Sequence, residues 1–167
     1  MKYKITFGNQ ISALNGFVIF TILVIAAIWL VGINEGFEID LFVFFIIFYL
    51  VNLITVLFVH YQYYKKNRSL ELLIEQDKKQ LLYKTNNYVK TLSFNEIQKV
   101  EIYMMPSMYR GSNVQILPFE SYHYAVIHTL DKEKLMVTCL VVKNLIKVFT
   151  DLNINITRKK CIYPSIK

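Results

Sequence analysis

The side chains best suited to chemistry in this chain are His60, His123, His128, Cys139 and Cys161. Imidazoles and thiolates bind zinc, and together they make nucleophile–base pairs. Their spacing supports neither use. His60 stands far from the other two, and His123 and His128 fall on opposite faces of any strand carrying both. Glu120 near His123 makes no zinc pattern. Cys139 and Cys161 are too distant for a CxxC site, and in a cytoplasmic domain free thiols are expected. Cys139 lies in an apolar stretch, LMVTCL, where an inert buried thiol is expected rather than a nucleophile. The chain has no P-loop, GxGxxG or GxSxG. The expectation is a protein that is not an enzyme and needs no cofactor or metal.

What positions the rest is a pair of apolar runs, residues 11–33 and 41–59. No charge occurs from Ile5 to Asn34, and the second run, LFVFFIIFYLVNLITVLFV, has none. A membrane-spanning helix needs about 20 apolar residues. Two soluble helices apolar on every face would be unusual in so short a chain. A secretory signal fits poorly, since its apolar core is shorter and precedes small residues. The expected structure is a transmembrane hairpin turning at 34–40, where Glu35, Glu38 and Asp40 lie. Lys2 and Lys4 precede it, and Lys65, Lys66 and Arg68 follow, which places both termini in the cytoplasm of an inner-membrane protein. Trp29 falls near the outer end, and Tyr61, Tyr63 and Tyr64 fall at the inner interface. Asn15 and Asn52 either bond across the helix pair or bond locally. With no intramembrane acid or base, the hairpin is an anchor rather than a transport path.

The 167 residues are 54% hydrophobic and 15% aromatic, with net charge +7. From residue 61 onward, 17 Lys and Arg face 9 Asp and Glu. A tethered basic domain is drawn to an anionic leaflet, at roughly 1 kcal/mol per base close to the surface. Nucleic acid is not expected, because no recognition motif accompanies the charge.

The arm KYKITF alternates like a strand, or is merely a basic flank. Strands are expected at 70–75, 80–85 and 88–92, joined by polar turns. Ser93 and Glu96 then match a capping box, and a strand resumes at 100–104. Residues 105–119 read as a loop broken by Pro106, Gly111 and Pro118. Met108, Tyr109 and Arg110 either contact a partner or lipid there, or cover the end of the core. Residues 120–130 make the clearest strand, with a partner at 135–140. Val141, Leu145, Val148, Phe149 and Leu152 have helical spacing, predicting one packing helix over 142–152. The tail offers an edge strand. Its Arg158, Lys159 and Lys160 are expected to be solvated or to face anionic lipid.

This order resembles a pleckstrin-homology-like domain behind a two-helix membrane hairpin, an arrangement found in bacterial membrane proteins. The resemblance is carried by YYKKNR at 63–68, LSFNEIQKVEIY at 92–103 with Phe94, Ile97 and Val100, ILPFESYHYAVI, DKEKLMVTCL and VVKNLIKVFTDL. KYKITF also suits a second resemblance, to proteins with a YcxB-like domain. The phosphoinositide-binding motif of eukaryotic members is not recognisable. The implied fold class is an α+β membrane protein: a transmembrane hairpin, then a small antiparallel β-sandwich or partly open barrel with a C-terminal packing helix. The expected parts are an arm at 1–10, the hairpin at 11–60 and a cytoplasmic domain at 61–167. The expected function is a membrane-anchored interaction or scaffold protein. The alternatives are a sensor of anionic headgroups, and a small enzyme or regulator with an unrecognised site. The expected partners are the lipid bilayer and a membrane or cytoplasmic protein, and the hairpin is compatible with homo-oligomers.

Overall fold

The computed structural model describes residues 1–34, 39–111 and 117–166. A short strand, β1 (Lys2–Lys4), opens the chain. Helices α1 (Phe7–Asn34) and α2 (Ile39–Asn67) follow, both long and apolar enough to cross a membrane. Glu35 and Glu38 of the expected acidic turn lie outside the described residues. The seam between the helices is aromatic. Phe17 meets Tyr49, and Phe20 meets Phe48, each with ring centroids 5.7 Å apart, a separation at which tilted rings attract. The Asn15–Asn52 bond is not formed. Asn52 donates to the Phe48 carbonyl of its own helix at 2.9 Å, and Asn15 is exposed.

Beyond the helices come β2 (Glu71–Glu75), β3 (Gln80–Thr85) and β4 (Tyr88–Ser93). They extend β1 into an antiparallel sheet in the order β1-β2-β3-β4. The amino-terminal arm is therefore a strand, with Tyr3 opposite Leu72. A single 3-10 turn, Phe94–Glu96, follows, and its Glu96 carboxylate accepts the Ser93 N–H at 2.6 Å.

The second sheet is β7-β6-β5-β8, built from β5 (Ile97–Met104), β6 (Tyr124–Thr129), β7 (Lys134–Thr138) and β8 (Ile156–Lys160). Strand β8 runs parallel to β5, so the architecture is not purely antiparallel. Two short helices complete it: α3 (Pro106–Tyr109) and α4 (Leu145–Asp151). The core lies between the sheets. Leu72, Ile74 and Leu81 meet Val100, Ile102, Ile127 and Val137, and Leu145 and Phe149 of α4 close one end. Each such side chain contributes about 1.5–3 kcal/mol on burial.

Two expected elements are corrected. The strand over 120–130 is shortened at its start, because residues 119–122 turn, with the Tyr122 N–H on the Phe119 carbonyl at 3.2 Å. The helix over 142–152 begins only at Leu145. Asn144 caps it, its side-chain oxygen accepting the Lys147 N–H at 3.0 Å, and Val141 and Val142 are buried in the preceding turn. The packing helix is not the C-terminal element, because the tail forms the edge strand it offered, β8.

Candidate functional site

Helix α2 does not stop where its apolar run stops. Its last turns lie on the outer face of the second sheet, where Val56, Val59 and Tyr63 join Tyr122, Tyr124, Cys139 and Leu140 in a second buried cluster. Tyr63 was expected at the membrane interface. It is fully buried instead, edge-on to Tyr122 at 5.2 Å and to Tyr124 at 6.2 Å. Tyr61 and Tyr64 remain exposed. Asn67 ends the helix by accepting the Thr138 N–H at 2.7 Å and donating to the Met136 carbonyl at 3.1 Å.

Helix α1 is fastened to the same face. Asn9 donates to the carbonyls of Leu140 and Val141 at 3.1 and 3.2 Å, and Ser121 Oγ donates to the Ala13 carbonyl at 2.8 Å. His60 links all three elements, with Nδ1 2.8 Å from the Tyr122 hydroxyl and Nε2 3.4 Å from Gln10 Oε1. Two helices and a sheet are thus joined by directional bonds as well as apolar contact.

At this junction, on the side of the first sheet, lies a cleft of about 480 Å³. Its chemistry comes from register. Lys4 of β1 pairs with Glu71 of β2, and Glu71 pairs with Lys84 of β3, so the three share one sheet face. Arg68 enters from the end of α2, and Ser69 and Asn86 add polar walls. Glu71 is ion-paired to Lys2 at 3.2 Å. Its carboxyl is held below the usual range, first by that hydrogen bond and further by the fields of Lys84 and Lys4. Lys4, Arg68 and Lys84 have no carboxylate within ion-pair distance among the described residues. Such an arrangement suits an oxyanion such as phosphate or carboxylate.

The residues singled out in the sequence lie elsewhere, and the fold brings two groups of them together. Met108, Tyr109 and Arg110 belong to α3 and its end, and α3 packs beside β8, which carries Arg158, Lys159 and Lys160. Met108 packs on the main core, whereas Tyr109 and Arg110 are exposed. Lys159 lies 3.9 Å from Glu101, while Arg158 and Lys160 are exposed at the edge of the sheet. Residues 112–116 of the expected loop lie outside the described residues.

The titratable groups are structural. Nδ1 of His123 lies 2.8 Å from the Ser121 carbonyl, which can only accept, so that nitrogen carries the proton. Burial lowers the His123 pKa and pushes the Cys139 thiol up to about 12, away from the thiolate a nucleophile needs. No group of three or more His, Cys, Asp or Glu able to hold a metal occurs among the described residues. Lys4, Arg68 and Lys84 escaped the sequence reading because the first two looked like topology flanks. Only strand register gathers them.

A family model described as PH domain matches residues 2–146, from β1 through both helices into α4. No curated protein and no solved structure matches the chain. The matched segment covers most of the chain, and it includes the strand that precedes the helices, the first sheet and all of the second sheet but β8; the chain belongs to the PH-domain family.

Proposed function

We propose that the protein is a membrane-anchored binding module whose three-base cleft takes an anionic lipid headgroup. The protein is non-enzymatic, as its PH-domain identity implies. On this reading α1 and α2 form a transmembrane hairpin with both chain ends in the cytoplasm. The bases flanking the helices favour that orientation.

The observation that carries the reading is the convergence of Lys4, Arg68 and Lys84, with no carboxylate within ion-pair distance among the described residues, at the foot of the two helices. Three bases against one carboxylate, Glu71, which is itself ion-paired to Lys2, leave a net positive cleft beside an anionic leaflet. Such a cleft attracts phosphate-bearing headgroups, and the attraction weakens with salt. Because the anchor is bonded into the second sheet, the cleft is held at a fixed height and angle. That rigidity suits a module that reads its own membrane.

The test uses the full chain in nanodiscs of neutral lipid, with and without added anionic lipid. Amide exchange at residues 68–71 and 84–86 should slow when anionic lipid is present. The triple variant Lys4→Gln, Arg68→Gln, Lys84→Gln should lose most of that protection. Equal exchange in both discs would reject headgroup binding. A protein retained equally by wild type and triple variant would favour the scaffold alternative.

A further inference from the structure

The last eleven described residues do more than close the second sheet. Strand β8 pairs with β5 so that Lys160 lies opposite Met104, and the Cys161 N–H donates to the Met104 carbonyl at 2.9 Å. The chain then returns to the anchor. Ser165 Oγ donates to Gln62 Oε1 of α2 at 3.2 Å, the Ile166 N–H approaches the same oxygen at 3.4 Å, and Ile166 packs on the junction cluster. Gln62 stands just past the end of the apolar run, two residues after His60. On the other flank, α3 adjoins β8, and its Met108 lines a cleft of about 170 Å³ with Asn9, Ser12 and Ala13 of α1. Both flanks of this corner are therefore tied to the feet of the two helices.

Its outer surface is amphipathic. Ile162 is 88% exposed, Tyr109 43% and Tyr163 38%, and Arg110, Arg158 and Lys160 are exposed around them. Strand alternation puts Lys159 on the face of Glu101 and places Arg158 and Lys160 on the face of Ile156, where they are exposed at the sheet edge beyond the core. None of Arg110, Arg158 and Lys160 has an ion-pair partner among the described residues. An isoleucine this open is unremarkable alone. Beside Tyr163, whose ring also packs on Phe119, and near three bases with no ion-pair partner among the described residues, at the level of the helix feet, it matches the chemistry of a headgroup layer.

We infer that this corner is a second membrane contact, in which Ile162 and Tyr163 enter the interface of the same leaflet while Arg110, Arg158 and Lys160 meet anionic lipid. The inference rests on the reading of α1 and α2 as a membrane hairpin, but not on occupancy of the three-base cleft, which belongs to the first sheet. The corner gives the domain a membrane contact on the second sheet, separate from the cleft of the first.

Cys161 provides the probe, because it sits inside the patch and Cys139 is buried. The full chain, labelled at Cys161 with a small fluorophore, is placed in nanodiscs of neutral lipid or neutral plus anionic lipid. Quenching is compared between lipid-borne bromine and aqueous iodide. A second sample with Cys161→Ser carries the label at Leu23→Cys, an exposed position in the middle of α1. Both labels should be quenched from the lipid side, with Cys161 quenched more strongly in anionic discs. Arg158→Gln, Lys160→Gln and Ile162→Ser together should return the Cys161 signal to iodide quenching. Lys4→Gln, Arg68→Gln and Lys84→Gln should leave it unchanged. Lipid quenching at Leu23 with iodide quenching at Cys161 would overturn the corner contact alone. Iodide quenching at both would overturn the hairpin reading and this inference with it.

Discussion

The Thr138 N–H donates to Asn67 Oδ1 at 2.7 Å, so the last residue of the second long helix bonds the last residue of β7. With its Nδ2 on the Met136 carbonyl at 3.1 Å, the Asn67 amide occupies the outer edge of β7 as a backbone peptide of a neighbouring strand would. Both bonds are shielded, since Asn67 is 1% exposed and Thr138 is fully buried. Asn67→Ala strips β7 of two partners and should cost roughly 2–4 kcal/mol. Asn67→Asp, which keeps the acceptor and loses the donor, should fall between. Thermal unfolding of the detergent-purified chain checks this, and a change under about 0.5 kcal/mol for the alanine variant would contradict the docking account.

Tyr63 invites the opposite expectation. Its ring is wholly buried against Tyr122 and Tyr124, yet its hydroxyl has no hydrogen-bond partner among the described residues. Tyr63→Phe keeps the packing and removes an unsatisfied polar atom. It should be neutral or stabilising by about 1 kcal/mol. Tyr63→Ala should lose about 3–5 kcal/mol through the cavity it leaves. The two melting temperatures should therefore move in opposite directions, or the phenylalanine one should stay still.

Acid should weaken the second sheet in a defined window. Glu101 accepts from Lys99 at 2.9 Å, Tyr103 at 3.0 Å and His128 at 3.1 Å. The Lys99 ammonium foremost, helped by Tyr103 and His128, holds its carboxyl at about 2 instead of 4.5. A depressed carboxylate stabilises the fold fully above its ordinary pKa, and that stability is lost as pH falls through the folded value. Asp131, held at about 2 chiefly by Lys90, titrates over the same range. Glu101→Gln should cost about 2 kcal/mol near neutrality and converge with wild type near pH 2. Chemical unfolding between pH 7 and 2 measures the difference.

The apolar runs, β3 and the Ser93–Glu96 turn were legible because each is fixed by neighbours in sequence. Of the two readings of Asn52 the local one holds, with its amide on the Phe48 carbonyl of its own helix. Tyr63 was not legible, since it was read by depth in a bilayer and is claimed instead by the outer face of a sheet. Tyr122 continues the alternation of Tyr124 and Val126, yet its ring packs against α2 and its backbone turns with Phe119, so β6 begins only at Tyr124. The cleft was least legible. Lys4 and Arg68 are separated by the whole hairpin, and only the Lys4–Glu71–Lys84 register unites them. The proximity of α3 to Arg158 and Lys160 likewise depends on β8 choosing β5 as a parallel partner.

The central claim is that a cleft built by β1, β3 and the end of α2 binds anionic lipid. The most direct measurement is native mass spectrometry of the full chain released from discs of mixed neutral and anionic lipid. Wild type should retain anionic lipid in preference to neutral lipid. Lys4→Gln, Arg68→Gln and Lys84→Gln together should remove most of that preference, by about two orders of magnitude if each base contributes about 1 kcal/mol. Retention of both lipids in the proportions of the disc, unchanged by the triple variant, would contradict the account.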